Sequence, residues 1–159
     1  LEAARYDRRI IIERGVGKVR EVEVSVLGNE DPQASVCGEV LPSREFYSYE
    51  SKYLDGTSGL VIPSQLPDQI TDKIREYAIS AYKAIDCAGM ARADFFVEDD
   101  TLKIYLNELN TLPGFTSISM YPKLWQASGM TYSELVDRLI ELALERKRQR
   151  DHTQHRRTA

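Results

Sequence analysis

In the stretch MARADFFVEDDTLKIYLNELN, residues 90–110, two runs suited to β-strands flank an acidic turn. Met90–Val97 and Leu102–Leu109 around Glu98-Asp99-Asp100 predict an antiparallel hairpin. Side chains alternate along a strand with period two. Arg92, Asp94 and Phe96 therefore share a face of the first run, and Glu108 and Asn110 share a face with Leu106 and Ile104 on the second. Asp94 and Glu108 are an even number of residues apart, so antiparallel pairing can place them on one side of the sheet. That requires a connecting turn with an odd number of residues, or a bulge in the ladder.

With that condition met, one sheet surface presents Asp94, Glu108 and Asn110, with Arg92 beside them. Two carboxylates and an amide oxygen are hard ligands of the kind Mg²⁺ accepts, usually with waters and substrate phosphates. No His or Cys joins them, which argues against zinc or copper. An Arg next to such a site can neutralise charge that develops on a transferring phosphoryl group. Spacing alone leaves a second reading open: exposed polar residues at a strand end, joined as surface salt bridges.

Working outward from the hairpin, the preceding helix is the clearest element. Over Pro67–Cys87, Ile70, Ile74, Tyr77, Ala78, Ala81 and Ile85 recur at helical spacing. Pro67 suits the first turn, Asp68 complements the dipole and Gly89 supplies a stop. Upstream, Arg20–Leu27 alternates, with Val22, Val24 and Val26 on one side and Glu21, Glu23 and Ser25 on the other, as in a half-buried strand. Gly28–Pro32 is a turn and Ala34–Leu41 the returning strand. Ile10–Glu13 reads as a short buried strand punctuated by Gly15 and Gly17. Phe46–Leu54 is a strand running into a mobile loop at Asp55–Gly59, and Leu60–Pro63 is a further extended piece.

Downstream of the hairpin, a loop at Thr111–Ser117 carries Pro113-Gly114, and a short helix spans about Ser119–Ser128 before Gly129. Thr131 and Glu134 form a capping box that opens a last helix with the face Leu135, Val136, Leu139, Ile140 and Ala143. Strands, helix, hairpin and helices follow without βαβ alternation. The expected fold is α+β, a mainly antiparallel sheet flanked by helices.

Bulk properties are those of one globular domain: 159 residues, 42% hydrophobic. No apolar run approaches the roughly 20 residues that span a bilayer. The chain does not begin with Met and reads as a fragment of a longer protein. Cys37 and Cys87 form no ligand cluster and are expected to be reduced and buried. Residues 1–144 hold 15 Lys/Arg against 23 Asp/Glu, whereas 145–159 hold six against two. The basic end suits a solvated helix terminus, and it has no interleaved aromatics to stack on nucleic-acid bases. The domain is expected to cover residues 1–148, with 149–159 a basic, disordered tail.

The segments ARADFF (91–96) and NELNTLPGFT (107–116) resemble the metal-binding signature of D-alanine–D-alanine ligases, members of the ATP-grasp superfamily. The similarity continues through REVEVSVLG (20–28), YESKYLDG (49–56) and SGMTYSELVDRLIELAL (128–144), in order along nearly the whole chain.

That resemblance implies the C-terminal part of an ATP-grasp domain. The implied enzyme is cytoplasmic, joins two D-alanines at the expense of ATP through an acyl phosphate, and serves peptidoglycan synthesis. Asp94, Glu108 and Asn110 would hold two Mg²⁺ or Mn²⁺ ions, with Glu108 bridging, and Arg92 would stabilise the transition state. Glu13 would accept a hydrogen bond from the adenine amino group, with backbone groups of Arg14 to Val16 completing that edge. Glu21 would bind the ribose hydroxyls, although in kind it equals its neighbour Glu23, an ordinary solvent-facing strand residue. Lys52 would contact phosphate and Tyr53 would latch a lid over the site; without the family they are a surface Lys beside a half-buried Tyr. A lid makes physical sense because water would hydrolyse an acyl phosphate. Ser119 and Met120, at a helix N-terminus, would cradle the second D-alanine's carboxylate, while Ser119 alone reads as an N-cap. The resemblance further implies a homodimer, a separate N-terminal part of the enzyme, and neither nucleic-acid nor membrane partners. Other ATP-grasp ligases, making D-Ala–D-Ser or D-Ala–D-lactate, are the neighbouring alternatives, with a non-catalytic nucleotide-binding module behind them.

Overall fold

A computed structural model describes residues 2–41, 59–116 and 118–152. Five strands form one sheet in the order β3-β2-β1-β4-β5: β1 (Val19–Gly28), β2 (Gln33–Leu41), β3 (Gly59–Val61), β4 (Gly89–Glu98) and β5 (Ile104–Asn110). Every neighbouring pair is antiparallel. With helices α1 (Asp68–Ala84), α2 (Met120–Ala127) and α3 (Tyr132–His152), this is the α+β arrangement that the sequence predicts.

Helix α1 lies on one face of the sheet. Its Ile74, Ala78 and Tyr82 are fully buried among Val22, Val24, Val26, Ala93, Phe95 and Val97. The expected stripe included Tyr77 and Ile85, but both are exposed. The buried line instead steps i, i+4, i+8 onto Tyr82. A tyrosine serves there because its hydroxyl donates to the Gly28 carbonyl at 2.7 Å, leaving no buried donor unmet. The chain leaves the helix through Asp86, left-handed at φ 51°, rather than at Gly89, which begins β4.

Helices α2 and α3 cover part of the opposite face, burying Leu27 with Tyr121, Trp125, Leu135 and Leu142. Strand β1 is therefore covered on both sides. Ser25 is wholly buried and donates to the Tyr121 carbonyl at 3.2 Å. Glu23 is buried too. The half-buried strand with a solvent-facing Glu/Ser side is thus corrected: alternation located the two faces but not a second layer packed from distant sequence.

Gly38 is what allows α2 to approach β2. A Cβ there would lie 2.7 Å from Leu124 Cδ2 and 3.2 Å from both Ile62 Cγ1 and Met120 Sδ. Leu124 is itself fully buried. Gly38→Val is expected to destabilise the fold by about 1–3 kcal/mol through overpacking, read as a lower urea midpoint.

The capping box forms as expected. The Thr131 N–H donates to Glu134 Oε2 at 2.8 Å, and the Glu134 N–H reaches back to Thr131 Oγ1 at 3.3 Å. Thr131→Ala is expected to cost about 1 kcal/mol, measured by thermal unfolding. The Thr131 hydroxyl first, and its N–H second, hold the Glu134 carboxyl below its ordinary range. The stabilisation from Glu134 is accordingly present above the carboxyl's unfolded pKa and fades as pH falls through the lowered folded value. Leu135 and Leu142 carry the buried side of α3, while Ile140 is exposed. The helix continues to His152, past the boundary expected at 148.

Ile10–Glu13 is not a buried strand. Ile11 and Ile12 are 86% and 77% exposed, and the segment has no regular structure. An apolar run predicts burial only where a partner surface exists, and none of the described residues covers this one. Cys37 and Cys87 are both free thiols, and burial pushes Cys37 up to about 12. No described helix is long and apolar enough to cross a membrane.

Candidate active site

The hairpin between β4 and β5 meets the condition set by its spacing through a bulge rather than an odd-numbered turn. Asp94 pairs with Glu108 and Arg92 with Asn110, but Phe95 pairs with Leu106, so Asn107 is the extra residue on β5. Six residues connect Val97 to its partner Ile104, an even number, and the bulge therefore restores the phase. This also corrects one expectation. Glu108 and Asn110 share a face with Asp94 and Arg92, whereas Leu106 and Ile104 sit opposite Phe95 and Val97 on the α1 side.

Strand β1 extends the array. Glu23 pairs with Asp94, and Ser25 with Arg92. Two adjacent rows thus cross the sheet: Glu23, Asp94, Glu108, and Ser25, Arg92, Asn110. Glu21, opposite Phe96, occupies the next position on the same face and is partly buried.

The Arg92 guanidinium ties the rows together. Its Nε donates to Asp94 Oδ1 at 2.7 Å and its Nη2 to Asp94 Oδ2 at 2.6 Å, a forked pair. Nε also lies 2.9 Å from Glu23 Oε2. The side chains are only 12% (Arg92), 8% (Glu23) and 14% (Asp94) exposed. Burial works against the charge on Arg92, but the Asp94 hydrogen bond and the charges of Glu23, Asp94 and Glu108 outweigh it and raise the guanidinium above its ordinary value. At the open end, Asn110 Nδ2 donates to Asp94 Oδ2 at 3.1 Å and to Glu108 Oε1 at 3.0 Å. Glu108 is exposed, so the site opens toward β5.

Three carboxylates against one guanidinium leave the array with excess negative charge, the condition for attracting a cation. Among the described residues no three of His, Cys, Asp and Glu are gathered around a cation position. The candidate set is Asp94, Glu108 and the Asn110 amide. Half a turn about the terminal bond of Asn110 would bring Oδ1, an acceptor, toward the two carboxylates in place of Nδ2. The donor chemistry fits Mg²⁺ or Mn²⁺.

The remaining candidates fall in three places. Glu13, Arg14 and Val16 lie in the irregular segment before β1, with Glu13 and Arg14 exposed. The Asp99 N–H donates to the Lys18 carbonyl at 3.2 Å, so the chain entering β1 passes the hairpin turn. Ser119 is the N-cap of α2, yet its hydroxyl makes no capping bond; it accepts from the Thr116 N–H at 2.9 Å. Met120 is buried against Val40, the β2 partner of Glu21, so α2 starts beside the acidic rows. Gly114 gives Ser119 room, because a Cβ there would lie 2.9 Å from its hydroxyl. Lys52 and Tyr53 lie outside the described residues. Sequence reasoning missed Glu23, whose only signal was its two-residue offset from Glu21 on the same side of the strand.

A sequence profile described as "D-ala D-ala ligase C-terminus" matches residues 1–141. A D-alanine–D-alanine ligase of Acetivibrio thermocellus is 56% identical over 144 residues, covering 91% of this chain and 38% of its own length. The solved structure of the D-alanine–D-alanine ligase from Coxiella burnetii superposes with a TM-score of 0.81 at 41% identity, covering 94% of this chain and 38% of its own. A D-alanine–D-alanine ligase from Bacillus anthracis, complexed with ATP, has a TM-score of 0.67 at 30% identity, covering 85% of this chain and 43% of its own. The chain thus spans about two fifths of the length of these relatives.

Proposed function

The chain belongs to the D-ala D-ala ligase C-terminus family, and from that premise we propose that it forms the metal-binding and nucleotide-binding wall of an ATP-dependent ligase that joins two D-alanines. The observation that carries the proposal is the bulged β4–β5 hairpin, which sets Asp94, Glu108 and Asn110 on one face beside Arg92.

Asp94, Glu108 and Asn110 would hold the Mg²⁺ or Mn²⁺ ions, whose charge offsets that of the nucleotide phosphates. In the first step a carboxylate oxygen of one D-alanine attacks the γ-phosphorus of ATP; the bond to the leaving oxygen breaks, and ADP departs from an acyl phosphate. In the second step the amine of another D-alanine attacks the acyl carbon and loses its proton, and inorganic phosphate leaves. Arg92, a guanidinium and so cationic throughout, would stabilise the negative charge that both steps move. Glu21 and the Glu13–Val16 segment are assigned to ribose and adenine, and Lys52 and Tyr53 to phosphate and lid. Ser119 and Met120 are assigned to the second substrate's carboxylate, at the start of a helix beside the acidic rows.

The test is a product assay on the full-length ligase carrying this segment, with D-alanine, D-serine and D-lactate as second substrates. D-alanyl-D-alanine with stoichiometric ADP is the expected product, and preference for lactate at neutral pH would overturn the substrate assignment. The isolated segment is expected to release no phosphate from ATP, because the assignments above leave the first D-alanine without a site.

A further inference from the structure

We propose that Glu23 is a positioning residue that fixes the Arg92 guanidinium for the ligation reaction; this rests on the role given to Arg92 above. Glu23 stands directly across the β1–β4 ladder from Asp94, and its Oε2 lies 2.9 Å from Arg92 Nε. Arg92 therefore has two anionic partners with different duties. Asp94 would be claimed by the cation site, and a carboxylate turned toward a cation would hold a guanidinium less firmly. Glu23 lies at the closed end of the row, away from Glu108 and Asn110; its Oε2 holds Arg92 by charge while the Nε–H is donated to Asp94, and it stands within reach to accept that N–H were Asp94 to turn.

The location supports the assignment. A buried carboxylate costs desolvation, and a well-packed apolar side chain at such a place is often as stable or more so. On its own face Glu23 stands between Glu21 and Ser25 along β1, with Gly38 opposite on β2 and Asp94 opposite on β4, and the cation that meets it is Arg92. A charge there is explained by what it holds. The Asp94 fork engages Nε and Nη2 and the Glu23 contact is at Nε, so both carboxylates anchor the guanidinium along its Nε edge. Glu21 shares the strand and the face but pairs across the ladder with Phe96.

The experiment is a double-mutant cycle in the full-length ligase with Glu23→Gln, Arg92→Lys and the pair, reading kcat and the KM for ATP. Glu23→Gln alone is expected to lower kcat about 10- to 100-fold, the effect of misplacing a catalytic group by around an ångström, with the KM for ATP nearly unchanged. In the Arg92→Lys background, where the fork is already gone, the same change should cost less than about 3-fold. Should Glu23→Gln fail to fold, Glu23→Asp, which keeps the buried charge but is one methylene shorter, takes its place in the cycle. Unchanged kcat, or an equal loss in both backgrounds, overturns the inference while leaving the ligase reading intact. Full turnover in Arg92→Lys alone removes the role of Arg92 and the inference with it.

Discussion

Glu108→Gln in the full-length ligase is expected to lower turnover by at least about 100-fold, the scale of losing one preorganised electrostatic contact to the reacting phosphates. The reasoning is local. Glu108 is the exposed end of the acidic row, and its partner across the bulged ladder is Asp94. It accepts a hydrogen bond from Asn110 and reinforces the cationic state of Arg92. Gln keeps the shape and an acceptor oxygen but removes the charge, so the hydrogen bond survives and the anion is lost. An exposed position should change stability by no more than about 0.5 kcal/mol. Activity should therefore collapse while the thermal midpoint stays put. Turnover near that of the unaltered enzyme would place Glu108 outside the cation site.

Arg92→Ala should do the opposite to the balance between stability and activity: both are lost. The guanidinium is nearly buried and compensates two carboxylates, Glu23 and Asp94, that are nearly buried themselves. Removing one partner of a buried ion pair typically costs about 3–5 kcal/mol, because the orphaned charge remains. The fall should appear as a lower urea midpoint with little change of slope. Adding Glu23→Gln to Arg92→Ala should recover part of the loss, since one stranded anion disappears. A cost below about 1 kcal/mol for Arg92→Ala would mean that water reaches these carboxylates and that the array is a surface network.

The hairpin was legible because strand periodicity and an acidic turn are local signals, and the parity of Asp94 and Glu108 narrowed its geometry to an odd-numbered turn or a bulge. The position of that bulge was not legible: the extra residue is Asn107, which turns Leu106 and Ile104 to the α1 face. The capping box of α3 was readable from Thr131 and Glu134 alone. Burial on the second face of β1 was not, because α2 and α3 reach it from about a hundred residues away, as the Ser25–Tyr121 bond shows. The same blindness hid Glu23, which as sequence is interchangeable with Glu21. Ile10–Ile12 erred the other way, since a hydrophobic run states a preference and not the presence of a partner. The tyrosine in the buried line of α1 escaped because its hydroxyl is satisfied by a distant carbonyl at Gly28.

The most direct test of the cation site is Mn²⁺ binding to the full-length ligase in the presence of ADP, followed by electron paramagnetic resonance. The unaltered enzyme is predicted to bind two Mn²⁺ ions tightly per active site, and Glu108→Gln to lose at least one of them while ADP still binds. Identical stoichiometry and affinity in the two proteins would contradict the assignment of Asp94, Glu108 and Asn110 as the cation-holding face.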